Sequence, residues 1–532
     1  MALLSVLIKQ LLQPYMDASE IYNHPLSISL LLLLLLLTLV QLLKITRHSR
    51  NHLKLPTSPP KLPILGNLHQ LLGTIPHRSL KALSERYGPL MFVYFGNSPT
   101  LVVSSAELAS EMIKTHDIVI SNRPKTTPAN ILLYECRDVG FANYGEYWRK
   151  VRKICVLQLL NVRRVQSFQH IRDDEVSSLV NKIRNLCLNG GSINLTEMLL
   201  AVTNNIVSRC ALGRRVEEEN GKSNFGEVSR TLVEQLTAFC IGDVFPSLGW
   251  IDALSGLNGR LNATARALED MLDQVIEEHM NNVSSEIDDD DDDQSDKKDF
   301  VDIILQLRKN GMLGAGLTRD NLKAILLDMF VGGTDTTATA LEWAMAELVK
   351  NPTSMKRAQE EIRSVMKGKS KIHMKDIEKM DYLKCVVKET LRLHPSLPLL
   401  VPRETATNLK WRGYDIPAKT RVFVNAWAIQ RDPQVWDNPE DFLPDRFVNN
   451  TVDLNGQNFQ FIPFGAGRRG CPGISFALAA IEYVIANLLY WFDWKLPRGE
   501  VLENLDMIEV SGLAVHKKLA LHLVPTLYSP YP

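Results

Sequence analysis

The stretch that decides the fold reads Phe464-Gly465-Ala466-Gly467-Arg468-Arg469-Gly470-Cys471-Pro472-Gly473. Cys471 stands just before an apolar run, Ile474–Tyr490, whose pattern predicts a helix. A thiolate at this place faces the positive helix terminus and free backbone N–H groups, which stabilise it. The glycines let the backbone approach a flat macrocycle closely, and Arg469 supplies a cation for a carboxylate on that macrocycle. The stretch therefore predicts a cysteine thiolate that ligates iron, a ligand that favours O–O cleavage.

The same glycines also match the dinucleotide-binding pattern GxGxxG. A strand-like run, Phe459–Ile462, precedes them, and Asp493 stands where the acid of that pattern is expected. In a dinucleotide fold, however, the helix leads into a parallel strand of one βαβ unit. Too little chain, and too irregular, remains after Ile474–Tyr490. We therefore keep the dinucleotide-binding dehydrogenase only as a weak alternative.

Composition excludes several classes of protein. The 532 residues contain 60 Lys plus Arg and 60 Asp plus Glu, so the formal charge is zero and nothing in it points to nucleic acid as a partner. The seven cysteines are scattered and form no CxxC pair, which disfavours a disulfide framework or a zinc site. This usage is typical of reduced thiols in a cytosol-facing protein.

The N-terminal region predicts a membrane anchor. Leu26–Leu43 carries no charge and would span about 27 Å as a helix, close to the hydrocarbon thickness of a bilayer. A cleaved signal peptide is disfavoured because the apolar run is long and lacks a small-residue cleavage site. Basic residues follow the run, so the positive-inside rule places residues 1–25 in the lumen and the rest of the chain in the cytosol. We predict an anchor at 26–43, a basic and proline-rich hinge at 44–63 and one catalytic domain at 64–532.

Helical patterns dominate that domain, so we predict a mainly α fold with small β-sheets (α+β). Predicted helices include Ala106–Lys114, Glu146–Leu160, Asn262–Met280, Arg319–Lys350, Ser354–Val365, Tyr382–Leu393 and Ile474–Tyr490. Predicted strands are Leu90–Phe95, Thr100–Val103 and Arg421–Asn425. The run Asp288–Asp293 repels itself and cannot pack, so 286–298 is either a domain boundary or an acidic surface loop, and we favour the loop.

The cysteine stretch resembles the signature FxxGxRxCxG of the cytochrome P450 superfamily. Every fixed position matches: Phe464, Gly467, Arg469, Cys471 and Gly473. The residues of these motifs are similar to those of the plant A-type group, and most similar to its family 71 members. The resemblance covers the whole chain. It implies the cytochrome P450 fold, heme b as the cofactor and Cys471 as the axial ligand of the heme iron, with Phe464, Arg469 and Gly473 beside the heme.

Two further motifs carry the resemblance on either side of the heme. Glu389-Thr390-Leu391-Arg392 is similar to the ExxR pair of the family, which the arginine of a PxRF motif, here Arg446, joins as structural support. Gly332-Gly333-Thr334-Asp335-Thr336-Thr337 is similar to the oxygen-activation motif. By that resemblance Gly333 lies beside the heme, and Asp335 and Thr336 relay protons. Gly332 stands where alanine is more usual, and Asp445 replaces the glutamate of the usual PERF.

A third motif, WxxxR, supplies expected ligands of the heme carboxylates. Trp148 and Arg152 lie one helical turn apart, and the resemblance makes both of them, together with Arg403, donors to the propionates. The exposed basic face that we expect on the same helix comprises Arg149, Lys150, Arg152 and Lys153. Such a face suits the docking of an acidic reductase.

The resemblance implies a monooxygenase that uses O₂ and electrons from NADPH, delivered by NADPH-cytochrome P450 reductase, to oxidise a lipophilic plant metabolite such as a terpenoid, alkaloid or phenolic. The expected location is the endoplasmic reticulum membrane, in single-pass form, with cytochrome b5 as a further electron donor. The alternatives are a heme-thiolate isomerase or dehydratase that needs neither O₂ nor reductase, and a non-enzymatic heme sensor. Expected walls of the substrate pocket are Asn130–Val139, Thr237–Cys240, Met329–Gly333, Leu397–Val401 and Ser511–Leu513.

Overall fold

The computed structural model describes residues 53–188, 190–215, 225–285, 298–311, 317–499 and 501–528, and before them only residues 29, 32, 33, 35 and 36. The predicted lumenal residues 1–25, most of the predicted anchor, the hinge up to residue 52 and the acidic run 286–297 lie outside the described residues. Contacts divide the chain into a small unit, Met1–Leu55 with Lys410–Asp415, and a large unit that holds the rest. In the described part, Ile474–Trp491 has the length and apolar composition of a membrane span, but most of it is buried in the large unit as a core helix.

The described elements are mainly helices with a few short strands. The α-helices are α1 Pro76–Tyr87, α2 Ala106–His116, α3 Thr127–Leu132, α4 Glu146–Ile154, α5 Val162–Ser167, α6 Gln169–Cys187, α7 Leu195–Leu212, α8 Phe225–Leu236, α9 Ile241–Val244, α10 Trp250–Leu254, α11 Leu257–Ser285, α12 Phe300–Lys309, α13 Arg319–Lys350, α14 Pro352–Met366, α15 Met374–Ile377, α16 Asp381–Leu393, α17 Ala426–Ile429 and α18 Ile474–Trp491. The strands are β1 Leu90–Phe95, β2 Ser98–Val103, β3 Ile193–Asn194, β4 Arg403–Glu404, β5 Leu409–Trp411, β6 Tyr414–Ile416, β7 Arg421–Val424, β8 Phe492–Lys495, β9 Glu509–Ser511, β10 Val515–Lys517 and β11 His522–Leu527. The predicted class, mainly α with small sheets, is therefore confirmed.

The sheets are small and stand apart from one another. The order of the four-stranded sheet is β1-β2-β7-β4, with β2 and β7 parallel and the other neighbours antiparallel. A three-stranded sheet has the order β3-β11-β8, and β5–β6 and β9–β10 form two-stranded sheets. Strand β4 begins at Arg403, so the four-stranded sheet fixes one of the predicted heme-site residues.

Helix α13 runs through the core and organises it. Thr318 and Asn321 form a capping box at its start, which satisfies two backbone N–H groups that the helix would otherwise leave free. Nearly every side chain from Leu322 to Val349 is buried, as expected of a helix that is apolar around its whole circumference. It packs against α7, α16 and α18. The oxygen-activation motif thus lies on a largely buried helix of the core.

Two predicted elements differ from the structure. The helix predicted over Glu146–Leu160 ends at Ile154, and Cys155–Leu159 continues as a π-helix in which Leu160 N donates to Cys155 O at 2.9 Å. The strand-like run Phe459–Ile462 is a turn, because Phe461 N bonds Asn458 O and Ile462 N is held by the side chain of Gln430 rather than by a neighbouring strand. The dinucleotide-binding alternative therefore loses the strand on which it depended.

Candidate active site

The cysteine loop is a tight turn that ends at the start of α18. Gly465 and Gly467 both adopt left-handed backbone conformations, with φ of 70° and 68°. At Gly467 a Cβ atom would lie 2.6 Å from Ile113 Cγ2, so only glycine fits. Cys471 N donates to Phe464 O at 2.9 Å and closes the loop. The thiol is thereby held in a fixed place before the first turn of α18.

The Cys471 thiol is accessible and yet desolvated by protein around it. It is the one exposed side chain among the seven cysteines, all of which the structure describes. Burial raises its pKa, while the N–H of Gly473, 3.3 Å from Sγ, and the charge of Arg152 oppose that rise. A bound metal cation removes the proton of a coordinating thiol outright. An accessible thiol that protein surrounds fits the axial ligand of an enclosed cofactor.

A cluster of buried arginines lies beside this loop. Arg123, Arg403 and Arg469 are buried and Arg152 is largely buried. Burial and the charge of Arg403 lower the pKa of Arg469 to about 10, and burial and the charge of Arg469 lower the pKa of Arg123 well below its usual value. The carboxylate of Asp117 binds Arg403 at 2.8 Å and Arg468 at 3.1 Å, and the charge of Asp138 partly offsets those of Arg123 and Arg469.

This positive surplus fits a ligand that brings carboxylates. Buried charges are costly unless they are paired, and the described carboxylates do not balance the four arginines. The two propionates of heme b would supply the missing charge. The residues present therefore fit the prosthetic group on two independent counts, the placement of the thiol and the charge of the arginine cluster.

The predicted propionate donors meet in the structure around backbone carbonyl groups. Trp148 Nε1 donates to Val139 O at 3.0 Å, and Arg152 Nη2 donates to Gly470 O at 2.6 Å. Arg469 donates to Ser121 O at 2.7 Å and to Val139 O at 3.1 Å. Arg403 Nη2 donates to Ala466 O at 2.7 Å. The fold thus brings all four predicted residues together from distant parts of the chain.

On α13, the hydroxyl of Thr336 and the carboxyl of Asp335 point to different surroundings. Thr336 Oγ1 donates to Gly332 O at 2.7 Å, across the turn that bears the two glycines. Asp335 Oδ2 accepts from Ala514 N at 3.1 Å, and burial raises its pKa despite that hydrogen bond and the nearby His516. A carboxyl with a raised pKa next to a hydroxyl is an arrangement that can pass protons.

Comparison with known proteins decides the family. The family profile described as Cytochrome P450 matches residues 56–524. The chain belongs to the cytochrome P450 family. Among curated relatives, the phenylacetaldehyde oxime monooxygenase CYP71AN24 of Prunus mume is 52% identical over 482 residues, which cover 90% of each chain. Cytochrome P450 71A1 of Persea americana is 51% identical and covers 86% of this chain and 91% of its own. Norfluorocurarine oxidase of a Strychnos species is 46% identical, with coverage of 88% and 91%.

Solved structures agree on the fold. A zebrafish cytochrome P450 with progesterone superposes with a TM-score of 0.70 over 85% of this chain and 100% of its own, at 24% identity. The structure of a zebrafish cytochrome P450 with abiraterone gives a TM-score of 0.68 with the same coverage. The protein is thus a cytochrome P450 monooxygenase, an oxidoreductase of the plant family 71 type, with heme as its cofactor and electrons from NADPH through a reductase.

The two glycines of the motif on α13 have different surroundings. A Cβ at Gly333 would lie 3.2 Å from Cγ2 of Val207 on α7, so this glycine serves the close packing of two helices. A Cβ at Gly332 would meet nothing within 4 Å, and Gly332 is exposed although α13 is a core helix. The difference arises because neighbouring residues point about 100° apart on a helix, and the placement of Gly333 beside the heme stays a prediction.

Glu389, Arg392 and Arg446 form a buried ion triad in this cytochrome P450. Arg392 Nε lies 2.7 Å from one oxygen of Glu389, and Arg446 Nε lies 2.9 Å from the other. The remaining N–H groups of Arg392 donate to the carbonyls of Gln430, Pro439 and Asp441. Asp445, the departure from the usual motif, points outward and pairs with Arg357 at the surface. The departure therefore leaves the triad untouched.

Sequence reasoning missed Arg123 and Asp117. Arg123 Nη1 donates to Val401 O at 2.6 Å and Pro402 O at 2.8 Å, and its Nε donates to Gly140 O at 2.9 Å. It therefore ties the loop before α4 to the segment before Arg403. No periodicity or motif in Asn122-Arg123-Pro124 marks this role. On α4, Arg149, Lys150 and Lys153 are exposed as predicted for a basic face, but Arg152 turns inward and does not belong to it.

Proposed function

We propose that this monooxygenase hydroxylates or otherwise oxidises a lipophilic plant specialised metabolite, of terpenoid, alkaloid or phenolic type. The observation that carries the proposal is the accessible but enclosed thiol of Cys471 beside three buried arginines and the partly buried Arg152. Relatives at about half identity carry names that refer to small metabolites, among them an oxime monooxygenase, desmethylyatein synthase and norfluorocurarine oxidase. The expected pocket segments are mostly apolar, which suits such a ligand.

Each predicted site residue has its own proposed role. Cys471 Sγ would supply the thiolate ligand of the heme iron, with Phe464 and Gly473 shaping its loop, and Trp148, Arg152, Arg403 and Arg469 would hold the propionates. Glu389, Arg392 and Arg446 would give structural support to the heme site. When bound, heme supplies the activation of O₂, of which one oxygen atom enters the substrate and the other leaves as water after two electrons and two protons are added.

Protons reach the reacting centre along α13. Burial raises the pKa of Asp335, which favours its protonated form and suits a proton donor. The Thr336 hydroxyl, bonded to Gly332 O, is the second group of the proposed relay and can rotate to donate to a neighbouring oxygen. The retained pair also argues against the alternative function, a heme-thiolate isomerase or dehydratase, which has no use for a proton relay.

We further propose the membrane arrangement that the sequence predicts. Residues 26–43 anchor the chain once in the endoplasmic reticulum membrane, residues 1–25 lie in the lumen, and 44–63 form the hinge to a cytosolic catalytic domain at 64–532. Membrane association is typical of the plant relatives. Phe239, Trp250 and Leu254 are exposed apolar side chains of the large unit that suit contact with lipid. The reductase and cytochrome b5 are then neighbours in the same membrane, and 286–298 is an acidic surface loop.

The first test is the carbon-monoxide difference spectrum of the reduced full-length enzyme. We expect a band at about 450 nm, the sign of thiolate-ligated heme. Cys471→Ala should lose it, whereas Cys187→Ala, which removes a partly exposed thiol on α6, should keep it. A normal band in Cys471→Ala would refute the ligand assignment.

The second test is turnover with reductase and a panel of terpenoids, alkaloids and phenolics. Product formation that needs both O₂ and NADPH supports the proposal. Product formed without either would support the isomerase or dehydratase instead. Reductase-free controls and the addition of cytochrome b5 separate the two electron donors.

A further inference from the structure

Two carboxyl groups meet beside the heme site without serving any role assigned above. Asp138, in the loop between α3 and α4, is completely buried, and Asp328 on α13 is largely buried. A Cβ at Gly140 would lie 3.0 Å from Asp138 Oδ2 and 3.4 Å from Asp328 Oδ1, so both carboxyls crowd the same spot. A side chain at residue 140 would therefore require the Asp138 carboxyl to shift.

The contact between these carboxyls requires a proton. The two groups lie within hydrogen-bonding range of each other, and ionised carboxylates only accept hydrogen bonds. Asp138 Oδ1 is buried and receives no hydrogen bond from the donors that the structure describes. Burial raises the pKa of Asp138 to about 6, and burial together with the charge of Asp138 raises that of Asp328 well above its usual range. Such a pair titrates in two steps and holds one proton between them.

Asp328 also accepts hydrogen bonds from the backbone of the loop between α3 and α4. Its Oδ2 accepts from Gly140 N at 3.1 Å and, more closely, from Val139 N. The carbonyl oxygens of the same two residues orient side chains of the heme site. Val139 O accepts from Trp148 and Arg469, and Gly140 O accepts from Arg123. Asp328 therefore holds the backbone of Val139 and Gly140. The carbonyl oxygens of these two residues accept hydrogen bonds from Trp148, Arg469 and Arg123.

We propose that Asp138 and Asp328 are positioning residues that share one proton and clamp the Val139–Gly140 backbone against α13. The clamp orients Trp148 and Arg469 for the heme propionates and fixes the loop end of the tie made by Arg123. The inference rests on the proposed roles of Trp148 and Arg469. Removal of the proton leaves two facing anions, whose repulsion pushes the loop from the helix. The charged or titratable groups that face the pair from packed elements are Arg123, Cys136, Tyr147, Cys155 and Arg469.

Infrared spectroscopy of the full-length holoenzyme tests the shared proton. A pH-difference spectrum from neutral to alkaline pH should show the carbonyl stretch of a protonated buried carboxyl that disappears as the pH rises. Other buried carboxyls, among them Asp335 and Glu482, contribute to the same region, so the test is the double difference between the wild type and Asp328→Asn. This double difference should contain the band, because an amide can donate to Asp138 and keeps the bonds to the loop without titrating. The corresponding double difference for Asp320→Asn, the same change at an exposed acid on the same helix, should be flat. A flat double difference for Asp328→Asn would overturn the proposal.

Hydrogen exchange of the loop amides and transfer of heme to excess apomyoglobin test the clamp. In Asp328→Ala we expect about tenfold faster exchange in peptides spanning 137–147, from lost hydrogen bonds to a charged acceptor, and faster heme transfer. Asp328→Asn should resemble the wild type at neutral pH but lack its additional loosening at alkaline pH. If Asp328→Ala fails to fold, Asp138→Asn tests the repulsion alone: it keeps the bonds from Asp328 to the loop and should lack the loosening at alkaline pH, and loosening that persists in it would overturn the proposal.

Unchanged exchange or unchanged heme transfer in the alanine variant would overturn the positioning role. A failure of the proposed function would give a different result. The wild-type enzyme would then lack the carbon-monoxide band, and this measurement does not depend on the exchange of the loop amides.

Discussion

At the scale of single residues, removal of the Thr336 hydroxyl should have the most specific effect, a loss of coupling between NADPH consumption and product formation. Thr336→Ala removes a proton donor but leaves the helix intact, so NADPH should still be consumed while product per NADPH falls by about tenfold, within the range of a lost proton-transfer group. The measurement is the ratio of product to NADPH oxidised, with hydrogen peroxide quantified in parallel.

Thr336→Ser serves as the matched control because it keeps the hydroxyl that bonds Gly332 O. Its coupling should stay close to that of the wild type. Unchanged coupling in Thr336→Ala would remove the relay role and leave Asp335 as the sole candidate donor on this helix.

At the scale of the element, the two adjacent glycines of α13 should respond oppositely to the same change. Gly332→Ala adds a methyl group in open space and should leave the fold intact, or stabilise it by up to about 1 kcal/mol because alanine favours helix. Gly333→Ala places the methyl 3.2 Å from Val207 Cγ2 and should destabilise the enzyme by about 1–3 kcal/mol through overpacking. Thermal unfolding of the holoenzyme measures both.

The double variant Gly333→Ala with Val207→Ala checks the cause. Removal of the facing methyl groups should recover part of the stability that Gly333→Ala loses. Equal effects of the two single glycine variants would contradict the distinct packing of the two residues.

The sequence predicts elements better than the contacts between them. The bounds of α13 follow from Thr318 and a long apolar pattern, and the cysteine loop follows from its glycines and Cys471. Local physics decides both. Arg123 could not be found, because its partners lie 278 and 279 residues away and its own neighbourhood carries no pattern. The contact of Asp138 with Asp328 could not be predicted from the sequence for the same reason. The packing of Gly333 against Val207 could not be predicted either, because the sequence shows two glycines but not which of them faces α7.

At the scale of the whole molecule, a formal charge of zero hides a strong separation of charge. The heme site concentrates arginines inside, and α4 carries cations outside. The same helix does both, since Trp148 and Arg152 point into the site while Arg149, Lys150 and Lys153 are exposed. Helix α4 thus connects the heme environment with a surface that an acidic electron donor can bind.

Lys153 gives the sharpest test of that surface, because Lys150 is already paired with Glu146 at 2.9 Å. Lys153→Glu should raise the reductase concentration needed for half-maximal turnover several-fold at low ionic strength, since rim charges govern association more than chemistry. Added salt should shrink the difference, because exposed charges are screened. Lys356→Glu, a reversal at a lysine of similar exposure on α14, should leave the reductase dependence unchanged. A loss of turnover that salt does not relieve, with a normal carbon-monoxide band, would instead assign Lys153 to the internal order of α4, and docking would have to be sought on another face.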